Sequence, residues 1–153
     1  MVPGFSCFNI RVYGLLLAGR QVLLSHESLR NVAFTKFPGG GLHLGEAPPE
    51  GLRREFQEEL GMAVRVQQLF HVPDFVVTNY FRPEEQVLVL HYLVAAEHSA
   101  DLQRLNLGEK NLESLAELNQ MAHEWVPVRY LKNEQLTFPA DKAAAHKLRS
   151  AMG

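Results

Sequence analysis

Read for the spacing of its apolar positions, the chain resolves into short extended segments around one strongly amphipathic helix. Residues 8–18 alternate as a strand, with Asn9, Arg11 and Tyr13 on one face and Ile10, Val12 and Gly14 on the other. Gly19-Arg20 marks a turn, and 21–25 reads as the returning strand of a hairpin. A polar loop over 25–31 leads to a short strand at 33–37, which runs directly into the turn signal Pro38-Gly39-Gly40-Gly41. Between Pro48 and Leu60 the period becomes helical. Leu52, Phe56 and Leu60 form an i, i+4, i+8 stripe suited to packing on a sheet, and Gly61 stands where a glycine ends a helix.

In the second half, 63–79 is β-like but broken by Pro73-Asp74, which places Pro73 at a bulge, bend or edge. Residues 80–85, containing Arg82-Pro83, read as a hairpin loop before the strongly apolar strand 86–96. The pattern weakens over 97–123, where Leu112, Leu115 and Leu118 give helical spacing to 111–118; so long an irregular stretch in a domain is usually functional or mobile. Residues 123–127 read as a strand returning to the sheet, 128–132 as a helical turn and 139–151 as a final helix. This order is mixed α/β. No repeat, low-complexity tract or linker interrupts it, so the 153 residues are expected to form one domain over 1–153, long enough to bury a substantial core.

Charge narrows the partners. With 15 basic against 17 acidic residues the net charge is −2, which gives no bulk attraction for a nucleic acid polymer. A small anionic substrate would then need a local cation, and a bound metal can supply one. The single Cys7 excludes an intramolecular disulfide and is expected to pack. The apolar run at 14–18 is too short to span a bilayer and no basic segment opens the chain, so a cytoplasmic protein is expected. The histidines show no HExxH or similar spacing, which argues against zinc.

Candidate chemistry is concentrated on the amphipathic helix. Glu55, Glu58 and Glu59 fall at i, i+3 and i+4, which crowds three carboxylates onto one face. Each like-charged pair costs a few tenths of a kcal/mol, roughly, on an isolated helix. Such a run is either a solvated helix face or a platform for a divalent cation, since hard cations prefer several carboxylate oxygens. The flanks favour the platform: a glycine turn and Glu46 precede the helix, Pro48-Pro49 starts it, and Gly61 closes it.

Taken together these residues resemble the Nudix box. Gly40, Glu46, Arg54, Glu55, Phe56, Glu58, Glu59, Gly61 and Met62 occupy its fixed positions: G, five residues, E, seven residues, REU, one residue, EE, one residue, GU, with U apolar. The resemblance implies an α/β/α sandwich, with a mixed β-sheet between the box helix and the C-terminal helix. It also implies hydrolysis of the pyrophosphate linkage in a nucleoside diphosphate derivative, with Mg²⁺ or Mn²⁺ as cofactor. Glu58 and Glu59 match the metal-binding pair, and Glu55 matches a third carboxylate that helps bind metal and orients or deprotonates water. Which glutamate is the general base stays open. Arg54 completes the expected catalytic set as a positioner that holds a neighbouring carboxylate, and the Gly40 carbonyl is the expected backbone metal ligand. Glu46 is expected in a structural role at the positive end of the helix dipole. A further acidic ligand often comes from outside the box. The candidates are Glu117 and Glu124, with Glu109 and Glu113 behind them, although for any one of them a solvated surface glutamate is the better reading.

For the substrate, Arg11, Tyr13 and Lys36 are the expected contacts, offering phosphate binding and base stacking. Phe75, Tyr80, Phe81 and Phe138 are either further stacking platforms or core. Gly51, one turn before Glu55, gives either clearance for a phosphate or close helix packing, and His43 falls at a variable box position. Nucleotide sugars and (deoxy)nucleoside triphosphates both remain open. The alternative reading is a non-catalytic nucleotide- or metabolite-binding regulatory module, which the complete set of box carboxylates disfavours. A family isomerase would need an extra catalytic cysteine, and Cys7 lies in the first strand. Homodimers are frequent in the family, so a homodimer is one assembly the resemblance allows.

Overall fold

The computed structural model describes residues 4–105 and 121–152. The helix expected at 111–118, with Glu109, Glu113 and Glu117, lies outside the described residues.

One strand, β1 (Cys7–Ala18), connects both parts of an eight-stranded mixed sheet. Along one edge it runs parallel to β7 (Glu85–Ala96), from Cys7 opposite Glu85 to Leu16 opposite Val94. Beyond β7 lie β5 (Val64–His71) and the short β6 (Val77–Thr78), both antiparallel to it. Along its other edge β1 changes partner. Its last residues pair with β2 (Gln21–Leu29) at Leu17–Val22 and Ala18–Gln21, whereas its middle pairs with β4 (Gly39–Gly41), from Arg11–Gly41 to Tyr13–Gly39. The rest of β2 diverges from β1 and lies between β3 (Val32–Lys36) and β8 (Ala122–Pro127). The sheet therefore splits beside β1, and α1 (Pro48–Leu60) follows directly from the glycine strand at the split.

Side-chain alternation along β1 builds a core on each face. Tyr13 and Leu15 join Val22, Leu24, Val126 and the α3 (Pro139–Met152) residues Ala144, Ala145 and Leu148 in one cluster. Val12 and Leu16 join Leu23, Val94 and the α1 residues Leu52 and Phe56 in the other. Helix, sheet and helix thus form the expected α/β/α layers. Leu52 and Phe56 are fully buried, and each such side chain stabilises the fold by about 1.5–3 kcal/mol. Gly14 allows the close approach of α1, because a Cβ there would lie 2.6 Å from Phe56 Cε2. Proline at the first helical positions starts α1, and Gly61 ends it at φ 61°, its N–H donating to the Gln57 carbonyl.

The structure corrects several sequence expectations, the first being that Cys7 packs: it is exposed. Residues 25–29 are strand, not loop, and β2 and β3 are joined by a two-residue turn at Arg30-Asn31 with φ of 50° and 64°. Their polar side chains read as loop, but their partners lie inside the fold: Ser25 Oγ donates to Glu27 Oε2, and His26 sits between Thr35 Oγ1 and Glu124 Oε2. The glycine turn is itself a strand. Gly39 holds φ 143°, where a Cβ would fall 2.1 Å from the Val12 carbonyl oxygen, so no other residue fits. The β-like stretch 63–79 divides into β5, with register shifts at Val66/Gln68 and Leu69/His71, and β6; Pro73 lies in the gap between them. A short α2 (Ala100–Arg104) falls where no element was expected, and no described helix is long and apolar enough to cross a membrane.

Candidate active site

Helix α1 presents its carboxylates to the split in the sheet, and Arg54 fixes their arrangement. Its Nε donates to Glu46 Oε2 at 3.0 Å, and Nη2 donates to Glu46 Oε1 at 2.6 Å and to the Gly41 carbonyl at 2.9 Å. Nη1 reaches Glu55 Oε1 at 3.0 Å and Glu58 Oε2 at 3.3 Å. One guanidinium therefore ties the glycine strand, the loop before α1 and two box carboxylates together. Glu46 also accepts the His43 N–H at 2.8 Å. The hydrogen bond from Arg54, then that from His43, brings the Glu46 carboxyl down to about 2, and the same contact raises the Arg54 guanidinium. Glu46 braces the loop, as its position before the helix suggested.

Two glycines shape the carboxylate pocket. A Cβ at Gly40 would lie 2.6 Å from Glu55 Cδ and Oε1, so the box glycine is the space in which the buried Glu55 carboxyl sits. At Gly51 a Cβ would meet Leu42 Cδ1 at 2.6 Å and Glu46 Oε1 at 2.9 Å. Close packing of the loop, rather than phosphate clearance, accounts for Gly51.

The three box carboxylates occupy different environments. Glu58 is exposed and turned toward Arg54. Glu59 points inward, and its Oε2 is buried without a hydrogen-bond partner among the described residues. Burial pushes the Glu59 carboxyl up to about 8; Lys36 opposes this, while Glu27 and a hydrogen bond to Glu55 add to it. With side chains in these positions, no three acidic, His or Cys side chains among the described residues converge on one point. The donor set nonetheless suits a hard divalent cation. It is all oxygen, and it contains an orphaned buried carboxylate oxygen.

Behind Glu59 lies a polar cluster that sequence reading missed. Lys36, buried, pairs with Glu27 Oε2 at 2.8 Å and donates to the Gly39 carbonyl at 2.9 Å. Burial would lower the Lys36 ammonium, but Glu27 and Tyr13 outweigh it and the group is raised. His123 is also buried, and its Nε2 has no partner among the described residues. Burial brings the His123 imidazole down to about 4, with Lys36 and His26 contributing and Glu27 opposing. The available signal was the run of polar residues at 25–27 opposite a lysine in a strand pattern, which reads as loop until the strand pairing is known.

Next to this cluster opens a cavity of about 500 Å³, within the range of small-molecule sites. Arg11, Tyr13 and Lys36 all line it, so the expected substrate contacts come together. Arg11 Nε donates to Tyr13 Oη at 2.6 Å, and the Lys36 Nζ lies 4.9 Å from the Tyr13 ring centroid. Of the candidate aromatic platforms, Tyr80, Phe81 and Phe138 line the cavity, as does Phe34, which sequence reading passed over; Phe75 does not. Glu124 is not brought to the box. It is held by His26 at 2.7 Å, and along β8 it shares the face of Val126, in the α3-side core, whereas His123 shares the face of Trp125, against the α1-side core.

This geometry agrees with the comparisons. The model of the NUDIX domain matches residues 8–147, and the chain belongs to the Nudix family. Among solved structures it resembles the ORF135 protein of E. coli, with TM-score 0.66 and 15% identity over 98% of this chain and 94% of that one. It also resembles a MutT NUDIX hydrolase from Burkholderia pseudomallei, with TM-score 0.64 and 20% identity over 93% and 98% of the two chains. A third likeness is to an ADP-ribose pyrophosphatase from Streptococcus suis, with TM-score 0.57 and 14% identity over 94% and 89%. No curated protein matches the chain at a significant level. At these identities the structural likenesses speak for the fold.

Proposed function

We propose that the chain hydrolyses the pyrophosphate linkage of a nucleoside diphosphate derivative, of the nucleotide sugar or (deoxy)nucleoside triphosphate class, with Mg²⁺ or Mn²⁺ held by Glu55, Glu58, Glu59 and the Gly40 carbonyl. The observation that carries this reading is Glu59: a half-buried side chain whose Oε2 is buried and orphaned among the described residues, its carboxyl raised to about 8, beside Glu55 and near a cavity lined by Arg11 and Lys36. When bound, the cation neutralises phosphate charge and acidifies a water molecule. The protein's own groups do the rest. Arg54 holds Glu55 in place through Nη1, and Gly40 leaves room for that carboxyl. Arg11 supplies positive charge from the cavity side, while Lys36 fixes the glycine strand through the Gly39 carbonyl. Tyr13 and the cavity aromatics offer ring faces to a nucleoside.

The test is a panel of pyrophosphate-linked compounds assayed with and without Mg²⁺ or Mn²⁺ for released phosphate or pyrophosphate and for the nucleoside monophosphate. Glu58→Gln and Glu59→Gln are expected to keep the fold and lower kcat at least about tenfold, a barrier increase of about 1.4 kcal/mol or more. Near-wild-type activity in both variants at saturating metal overturns the assignment.

A further inference from the structure

Helix α1 covers only part of the sheet face on which it packs. Side chains alternate along a strand, and Val12 and Leu16 of β1 and Val94 of β7 lie in the core beneath α1. Phe8 and Ile10 therefore share that face on β1, and Leu88 shares it on β7. These three lie past the cover of α1: Phe8 is 69% exposed, Ile10 38% and Leu88 40%.

Strand register gathers them into one band. Ile10 is paired with Leu88, and Phe8 with Gln86. Along the other edge of β7, Val77 pairs with Val87 and Thr78 with Gln86, so the same register brings Val76, 57% exposed, beside Leu88. Along the other edge of β1, the Leu42 N–H donates to the Ile10 carbonyl at 2.9 Å, and Leu44, two residues further on, is fully exposed. An apolar row Val76–Leu88–Ile10–Leu42 thus crosses four chain segments. Phe8, Gln86 and Thr78 form the row beside it, and neither row holds an ionised side chain.

The size of this band matches that of a subunit interface. Phe8, Ile10, Leu44, Val76 and Leu88 together expose apolar surface on the order of 500 Å². The largest apolar patch of a typical monomer is about 300–600 Å² and is often functional. A standard interface covers about 800 Å² per partner, and about 65% of a homodimer interface is apolar, again roughly 500 Å². Charge favours an identical occupant. Ionised groups select unlike partners and repel a like surface; this band has none, and a net charge of −2 opposes self-association only weakly. A two-fold axis sets such a band against its own copy.

We propose that this band is an isologous interface on which a second copy of the chain docks. The cavity is lined from the opposite face of β1, by Asn9, Arg11 and Tyr13, so docking leaves it open.

The test is sedimentation velocity from about 1 to about 100 μM protein. The wild type is expected to form a dimer within this range. The dimer should persist at high salt, because apolar burial rather than ion pairing holds it. Phe8→Glu and Leu88→Glu should each weaken association at least about tenfold. Tyr130→Glu, at an exposed aromatic position after β8, should leave it unchanged. Circular dichroism verifies the fold of each variant, and if Leu88→Glu does not fold, Phe8→Glu at the exposed start of β1 decides. A monomer throughout the range overturns the proposal, whether the wild type binds another protein or nothing. A dimer that Phe8→Glu leaves intact, or that high salt dissociates, overturns it as well.

Discussion

Acidification from pH 7 to pH 5 is expected to remove the stabilising contribution of one buried imidazole, read as the difference between the wild type and a variant lacking it. His123 is buried, its Nε2 finds no partner among the described residues, and its value falls from 6.5 to about 4. The groups facing it are Glu27 and His26 on β2 and Lys36 on β3. Its folded value lies below its unfolded one, so the unfolded chain takes up a proton first. The neutral form therefore contributes stability that is present above pH 6.5 and is lost as the pH falls toward 4. At about 1.36 kcal/mol per pH unit the ceiling is about 3 kcal/mol, and the part lost between pH 7 and pH 5 is about 2 kcal/mol. For a domain of this size, that corresponds to a change of roughly 4–8 °C in the Tm difference between the wild type and the variant. The assay is thermal unfolding of the wild type and His123→Gln across this range, without metal. The variant should show a shallower slope between pH 7 and pH 5, by about 2 kcal/mol. Parallel curves for the two proteins would refute the reasoning, because they would show that another group carries the acid sensitivity.

The remaining predictions concern the box and its supports. Gly40→Ala should push the Glu55 carboxyl out of place and lower kcat at least about tenfold, with a much smaller loss of Tm; unchanged kinetics would show that the close approach does not matter. Arg54→Lys loses the two-pronged grip on Glu46 and the bond to Gly41, and should cost about 1–3 kcal/mol in chemical denaturation, a loss that Glu58→Gln should not reproduce. Gly14→Ala drives a methyl into the Phe56 ring and should destabilise by about 1–3 kcal/mol with KM unchanged. Mg²⁺ at millimolar concentration should raise the Tm of the wild type but not that of Glu59→Gln; equal shifts in both would show that Glu59 does not bind the cation.

The helix and its carboxylates were legible because each signal was local. Proline at the start of α1, glycine at its end, the Leu52–Phe56 stripe and the i, i+3, i+4 glutamates depend only on neighbours along the chain. The contacts of Arg54 were half legible: its pairing with a neighbouring carboxylate was implied by the resemblance and by the planar guanidinium, but its grip on Glu46 and the Gly41 carbonyl needed the loop to fold back on the helix. Glu27 and His123 were not legible, because their burial depends on β2 pairing with both β3 and β8, partners distant in sequence. Pattern reading treats Ser25, His26 and Glu27 as solvent-facing. The structure satisfies them with Lys36, Thr35 and Glu124, and so turns a loop composition into strand.

Lys36 imposes a constraint on how this protein can change over time. Its ammonium is shared between Glu27 in the β2–β3 hairpin and the carbonyl of Gly39, which cannot be altered by substitution. Replacing Lys36 alone would leave the half-buried Glu27 carboxylate with only the Ser25 hydroxyl, and replacing Glu27 alone would leave the buried Lys36 ammonium with backbone carbonyls but no counter-charge, so either single step passes through a damaged intermediate. Positions 27 and 36 are therefore expected to be inherited as a couple. Among related chains, their residues should swap sign or turn neutral together, while Arg30, which occupies the exposed tip of the same hairpin, drifts without reference to either.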